Sequence, residues 1–189
     1  MENKKYLPLK IVHLLLIAAG ITLYIITLIS FTKGASVLNI ISTVLNIFAL
    51  AAGFFYMVAG YKKEAHLYYK IFMWLFMIAE IIECTSVFSW GIEISTFGIF
   101  RKVFALAVVI LLGGAKDYGK VKSNIISITL VVLNLYTVIA AIFTMNGFAE
   151  TSLPAEAVIF DALGQLILAS SAALMVCGKY LDKTERGTN

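Results

Sequence analysis

Proline and cysteine are nearly missing: the 189 residues hold two of each. Pro8 and Pro154 are far apart, and no Ser/Gly-rich tract or run of like charge occurs. That leaves no linker or low-complexity segment, so residues 1–189 read as a single domain. Cys84 and Cys177 lie in separate apolar segments with no Cys-x-x-Cys or Cys/His spacing, which excludes a metal-ligand motif and argues against a disulfide. A phosphate-binding Gly-rich loop, a His-Glu-x-x-His pair and a Gly-x-Ser-x-Gly elbow are also missing. With connections of only a few residues between apolar stretches, nothing can house a nucleotide, and no catalytic residue, metal or cofactor is assigned.

Apolar residues are abundant instead: 61% of the chain is hydrophobic and the mean hydropathy is +0.94. Soluble domains average roughly 45–50% apolar residues. A domain of this length still exposes about 30% of its unfolded surface, so the excess has no soluble core large enough to hide in. The expected solvent is lipid. The basic segment Met1–Lys10 leads into an apolar run from Ile11 to Phe31 that no small-x-small site ends. A run of about twenty residues crosses a bilayer, so it reads as a retained helix rather than a cleaved leader.

Six stretches are long enough to span about 30 Å of hydrocarbon: 11–32, 36–60, 69–90, 97–114, 123–145 and 155–178. Basic residues fall in alternate connections. Lys4, Lys5, Lys10, Lys62, Lys63, Lys70, Lys116, Lys120, Lys122, Lys179, Lys183 and Arg186 are twelve of the fifteen cations, and all lie on one side of the expected topology. By the positive-inside rule that side is the cytoplasm. The expectation is an all-α integral protein of the cell membrane, a multi-pass bundle of six transmembrane helices with short loops and both termini inside. The net charge of +4 therefore reports orientation, and nucleic acid is not an expected partner. Tyr61, Tyr68, Tyr69, Tyr118 and Tyr180 gather at the inner boundary and Trp90 marks the outer one, as in an interfacial aromatic belt. The fourth span is long enough if Arg101 and Lys102 snorkel outward; if they do not, five spans or a re-entrant segment are the alternatives.

The informative residues are the polar ones where hydrocarbon is expected. Glu80 and Glu83 lie three apart in the third span and share a face. Each charge costs about 2.5–3.5 kcal/mol near the bilayer centre, so the span needs a partner or a proton. Arg101 and Lys102 lie at similar depth in the fourth span, and Asp161 in the sixth, with Gln165 one turn further along the same face. The expectation is a polar cluster in the outer half of the bundle built from Glu80, Glu83, Arg101, Lys102, Asp161 and Gln165. Small and polar stripes mark inward faces of two more spans: Asn39, Ser42, Asn46, Ala49, Gly53, Tyr56 and Gly60 in the second, and Asn124, Ser127, Asn134, Thr137, Ala141 and Thr144 in the fifth. Such stripes serve close packing; their functional reading is that Asn46 and Asn134, both near the midplane, line a cavity. His13 and His66 fall at inner ends of helices, where contact with headgroups is commoner than ligation.

Three function classes follow. The first is a solute-binding or transport subunit with the outer polar cluster as its site. The second is a membrane enzyme acting on a lipid or isoprenoid, using Glu80, Glu83 or Asp161 as acid/base groups. The third is a non-catalytic interaction subunit in which the charges only specify helix pairing. In general plan, six spans in under 200 residues with both ends inside, the chain is similar to the substrate-binding subunits of energy-coupling-factor vitamin transporters. That likeness covers topology alone, and the first span carries no signature of the family. It implies a small-molecule solute, apolar or zwitterionic, entering from outside, with Arg101 or Lys102 meeting its anionic group and Asp161 its donors. It also implies an energising partner subunit or an ion gradient.

Overall fold

The structure, a computed structural model, describes the backbone of residues 7–31, 36–59, 63–89, 96–114, 120–143 and 155–186. Six helices occupy them: α1 (Leu7–Phe31), α2 (Val37–Ala59), α3 (Lys63–Ser89), α4 (Thr96–Gly114), α5 (Lys120–Phe143) and α6 (Ala155–Arg186). They begin and end where the chemistry directs. Pro8 lies in the first turn of α1, where a missing N–H costs nothing. Ser36 caps α2, its Oγ accepting from the backbone N of Asn39 at 3.2 Å. The pair Gly113-Gly114 ends α4.

Four segments are long and apolar enough to cross a membrane: Leu7–Ser30, Val37–Ala59, Val121–Ile139 and Ile159–Val176. The apolar part of α4, Lys102–Leu112, is shorter, and α3 carries Lys70, Glu80 and Glu83 within its described length. Glu80, Glu83 and Lys102 lie on the two helices that fall short by composition, whereas Asp161 lies within the qualifying segment of α6.

Each helix packs against the next in sequence and α6 closes on α1, forming a ring, while α2, α3 and α6 also meet across its middle. Close approach depends on small residues. On α1, a side chain at Gly20 would come within 2.7 Å of Leu50 and 2.8 Å of Ile167, so α2 and α6 rest on bare backbone there. Tyr24, Leu50, Phe72, Phe76, Val109, Leu130, Leu168 and Met175 fill the interior. The stripe expected on α2 faces inward: Ser42, Asn46, Ala49 and Gly53 are buried. Leu15, Ile29, Phe48, Val58, Trp74 and Ile128 are exposed on the outside. An apolar exterior around a partly polar interior is the distribution lipid favours.

The inner-boundary tyrosine belt is corrected at one position. Tyr69 is buried, and its hydroxyl donates to the carbonyl of Leu112 at 3.3 Å, tying α3 to α4. Tyr68 instead stacks on Phe55 at 5.6 Å between ring centroids. Tyr61, Trp90 and the side chains of Tyr118 and Tyr180 lie outside the described residues.

Candidate functional site: a carboxylate hub between four helices

Glu83 stands on the inward face of α3, one turn beyond Glu80 and level with the small-residue stripe of α2. Without large side chains opposite, α2 lies close enough for its short polar groups to reach the carboxylate. Ser42 Oγ donates to Glu83 Oε1 at 2.7 Å, and Asn46 Nδ2 approaches the same oxygen at 3.4 Å. From α6, Gln165 Nε2 donates to it at 2.5 Å. From α4, Lys102 Nζ closes a 2.7 Å ion pair with Oε2. One carboxylate thus accepts from side chains of three other helices. Cys84 Sγ, the next residue on α3, reaches the carbonyl of Lys102 at 3.7 Å and strengthens the α3–α4 contact.

Lys102 does not snorkel. Its ammonium turns inward to Glu83 because an opposite charge on the neighbouring helix stabilises it more than the distant interface can. A lone carboxylate or a lone ammonium would each be costly in an apolar surrounding; paired across α3 and α4, the two charges offset that cost.

Glu80 is buried beside this centre. Asp161, one turn before Gln165 on α6, is partly exposed. Lys102 interacts electrostatically with Glu83, Glu80 and Asp161 alike. Five of the expected residues, Glu80, Glu83, Lys102, Asp161 and Gln165, therefore share one neighbourhood with Asn46. The side chain of Arg101 lies outside the described residues. Asn134 is not brought to the hub: it is buried on α5, and its amide donates to the carbonyl of Leu130 one turn back at 2.9 Å. Asn46 and Asn134 look alike in sequence, but the amide of Asn46 reaches Glu83 while that of Asn134 bonds its own helix.

Two contributors were not expected. Ser42 had been assigned to packing, yet its hydroxyl makes one of the short bonds to Glu83. Tyr24 comes from α1, the most uniformly apolar span. Its ring lies on Gly164, where an added Cβ would sit 2.5 Å from Cζ and 2.9 Å from the hydroxyl oxygen. The phenol ends beside Asn46, within the electrostatic reach of Asp161, Glu83 and Glu80. The sequence signal was a glycine immediately before Gln165 in a helix interior, where glycine is otherwise disfavoured.

The hub leaves polar atoms over. The Tyr24 hydroxyl meets the Asn46 side chain, while Asn46 Oδ1 and Gln165 Oε1 are buried and make no hydrogen bond among the described residues. Buried oxygens are seldom left in this state.

A second polar centre lies lower on the same face of α1. His13 is eleven residues before Tyr24, about 16 Å along the helix axis. Far from meeting headgroups, it is 1% exposed. Its Nε2 contacts Ser171 Oγ of α6 at 2.5 Å and its Nδ1 contacts Met57 Sδ of α2 at 3.0 Å. A thioether only accepts, so Nδ1 carries the proton and the serine hydroxyl donates to Nε2. Ser171 is 0% exposed, and the contact ties α1, α2 and α6 together. The side chain of His66 lies outside the described residues. Replacing His13 with leucine is expected to cost about 0.6–1.7 kcal/mol, the range for interhelical hydrogen bonds in membranes. The measurement is reversible unfolding in mixed micelles; an unchanged midpoint contradicts the tie.

Among the described residues no three His, Cys, Asp or Glu side chains are grouped to hold a metal ion. The chain matches no protein-family model, no curated protein and no solved structure.

Proposed function

We propose that this chain is a six-span protein of the cell membrane, a single domain with both termini cytoplasmic, and that it acts as a solute-binding or transport subunit whose site is the Glu83 hub in the outer half of the bundle. The alternation of cations along the sequence supports the orientation. Pairing of Glu83 with Lys102 supports six spans, because it offsets the charges that otherwise weigh against α3 and α4.

One observation carries the functional reading. A structural ion pair requires only two charged groups, whereas here amides from two helices and a phenol from a third surround the pair, and the buried oxygens of Asn46 and Gln165 make no hydrogen bond among the described residues. Polar groups gathered between helices, with bonding capacity left over, are what a small molecule needs for orientation. With Lys102 engaged by Glu83, recognition of a solute falls to Asn46, Gln165, Tyr24 and the acids around them. Uptake across the membrane would need an energising partner subunit or an ion gradient.

The experiment is solute-induced thermal stabilisation of the detergent-purified chain against vitamins, amino acids, nucleobases and lipids. A ligand at about a hundred times its Kd adds about 2.7 kcal/mol. Stabilisation by one solute class, abolished in Asp161→Asn or Glu83→Gln, is the expected result. A protein that responds to no solute but loses basal stability in both variants has a helix-pairing centre instead. Turnover of a lipid without saturable solute binding would identify a membrane enzyme.

A further inference from the structure

We infer that the Glu83 site recognises a solute by its hydrogen-bond donors, N–H or O–H groups that Asn46 Oδ1 and Gln165 Oε1 accept, an inference that rests on the solute-binding reading above and names the polar chemistry of what is bound. An ionised carboxylate only accepts hydrogen bonds, whereas a primary amide donates through its nitrogen and accepts through its oxygen. Glu83 therefore sorts the polar atoms around it. Asn46 and Gln165 both turn their NH2 groups to Oε1, at 3.4 Å and 2.5 Å, and Ser42 adds its hydroxyl at 2.7 Å. Flipping either amide would set its oxygen against the carboxylate, so chemistry fixes both orientations and directs both oxygens elsewhere. Asn46 is 0% and Gln165 4% exposed, and the two oxygens make no hydrogen bond among the described residues. The Tyr24 hydroxyl is engaged with the Asn46 side chain.

The nitrogens of Asn46, Gln165 and Lys102 already bond Glu83, so the atoms of these side chains left for a solute are acceptors. The other N–H groups of Lys102 lie in the field of Glu83, Glu80 and Asp161, three acids that repel an incoming anion. A carboxylate or an ester placed here would leave both amide oxygens unpaired and set a further acceptor beside them, the kind of mismatch that buried polar sites reject most strongly. An amide N–H, an amine or a hydroxyl pairs with them instead. Water makes the same bonds, and a donor-bearing solute takes its place without loss of hydrogen bonding. Selection thus runs opposite to the anionic end that topology alone suggested, because Lys102 is already held by Glu83.

The test is thermal unfolding of the full chain in detergent at constant ionic strength with four small probes: propionamide, its isomer N,N-dimethylformamide, ethylammonium chloride and sodium propionate. Of the two isomers only propionamide donates hydrogen bonds. A saturable rise of about 3 °C with propionamide or ethylammonium, and none with N,N-dimethylformamide or propionate, is expected. A response to propionamide identifies a neutral donor, and a response to ethylammonium alone identifies an amine. Gln165→Met keeps the length of the side chain and removes its amide, and is expected to weaken the responding probe about tenfold; an undiminished response overturns the inference. With the native chain alone, isomers that act equally, or propionate as the only active probe, overturn it while leaving the solute-binding reading intact. So does a vitamin, amino acid, nucleobase or lipid that stabilises the chain when none of the four probes does. Silence of those solutes and of the probes together removes the solute-binding reading and the inference with it.

Discussion

Glutamine at position 83 is expected to destabilise the protein by about 3–5 kcal/mol, the range for breaking a buried ion pair from one side. The change is nearly isosteric, so packing is preserved and electrostatics carry the effect. Lys102 would keep its charge between α3 and α4 with no partner 2.7 Å away. The new amide has one acceptor, and if that oxygen stays with Ser42 and Gln165 its NH2 group faces the ammonium, donor against donor. Against a total stability of about 5–15 kcal/mol, this is a large loss for a near-isosteric change. Denaturant titration in mixed micelles reads it directly. A loss under about 1 kcal/mol would mean that Glu83 and Lys102 behave as an exposed pair, for which such values are usual.

The second large effect is steric. Alanine at Gly164 places its Cβ 2.5 Å from Tyr24 Cζ and 2.8 Å from Cε1, and a ring fully enclosed by its neighbours cannot move away as a flexible chain tip would. Overpacking of this kind costs about 1–3 kcal/mol, and the rigidity of the aromatic ring places Gly164→Ala at the upper end. The substitution also pushes the phenol away from Asn46, so ligand-induced stabilisation is expected to fall together with basal stability. Tyr24→Ala in the same chain relieves the clash, so Gly164→Ala is expected to cost less in a Tyr24→Ala background than in the native chain; an equal cost in both backgrounds would contradict the close approach of α1 to α6.

Much of the architecture is legible because hydrocarbon enforces a simple rule on sequence. Apolar runs of helical length have few other uses, and the six helices coincide with the six stretches found by counting. The inward face of α2 was equally legible, since small and polar residues gain nothing from lipid. Convergence of Glu83 with Lys102, Asp161 and Gln165 followed from depth alone: residues a similar distance from the membrane surface meet if their helices are neighbours.

What sequence does not carry is which helices are neighbours and how side chains rotate between them. Sequence left Lys102 two directions, outward to lengthen its span or inward to the polar cluster, and the proximity of Glu83 on α3 draws it inward. Asn134 matched Asn46 in type, stripe and depth, yet its amide bonds the carbonyl of Leu130 on its own helix. His13 sits near the end of an apolar run, where headgroup contact is the ordinary outcome, but Ser171 and Met57 on two other helices enclose it. Tyr24 could not be distinguished from an unremarkable aromatic in a spanning helix until Gly164 was seen to make room for it. Each case depends on a residue far away in sequence, and no local pattern reports it.

The most direct measurement is a double-mutant cycle between Glu83 and Lys102, using Glu83→Gln, Lys102→Met and the pair, with unfolding free energies taken in the same mixed micelles. If the two charges meet inside the bundle, the double variant is more stable than the sum of the single losses allows, with a coupling of about 1.5–3 kcal/mol. Additive losses, within about 0.5 kcal/mol, would mean that the charges do not meet, and neither the hub nor the site built on it would stand.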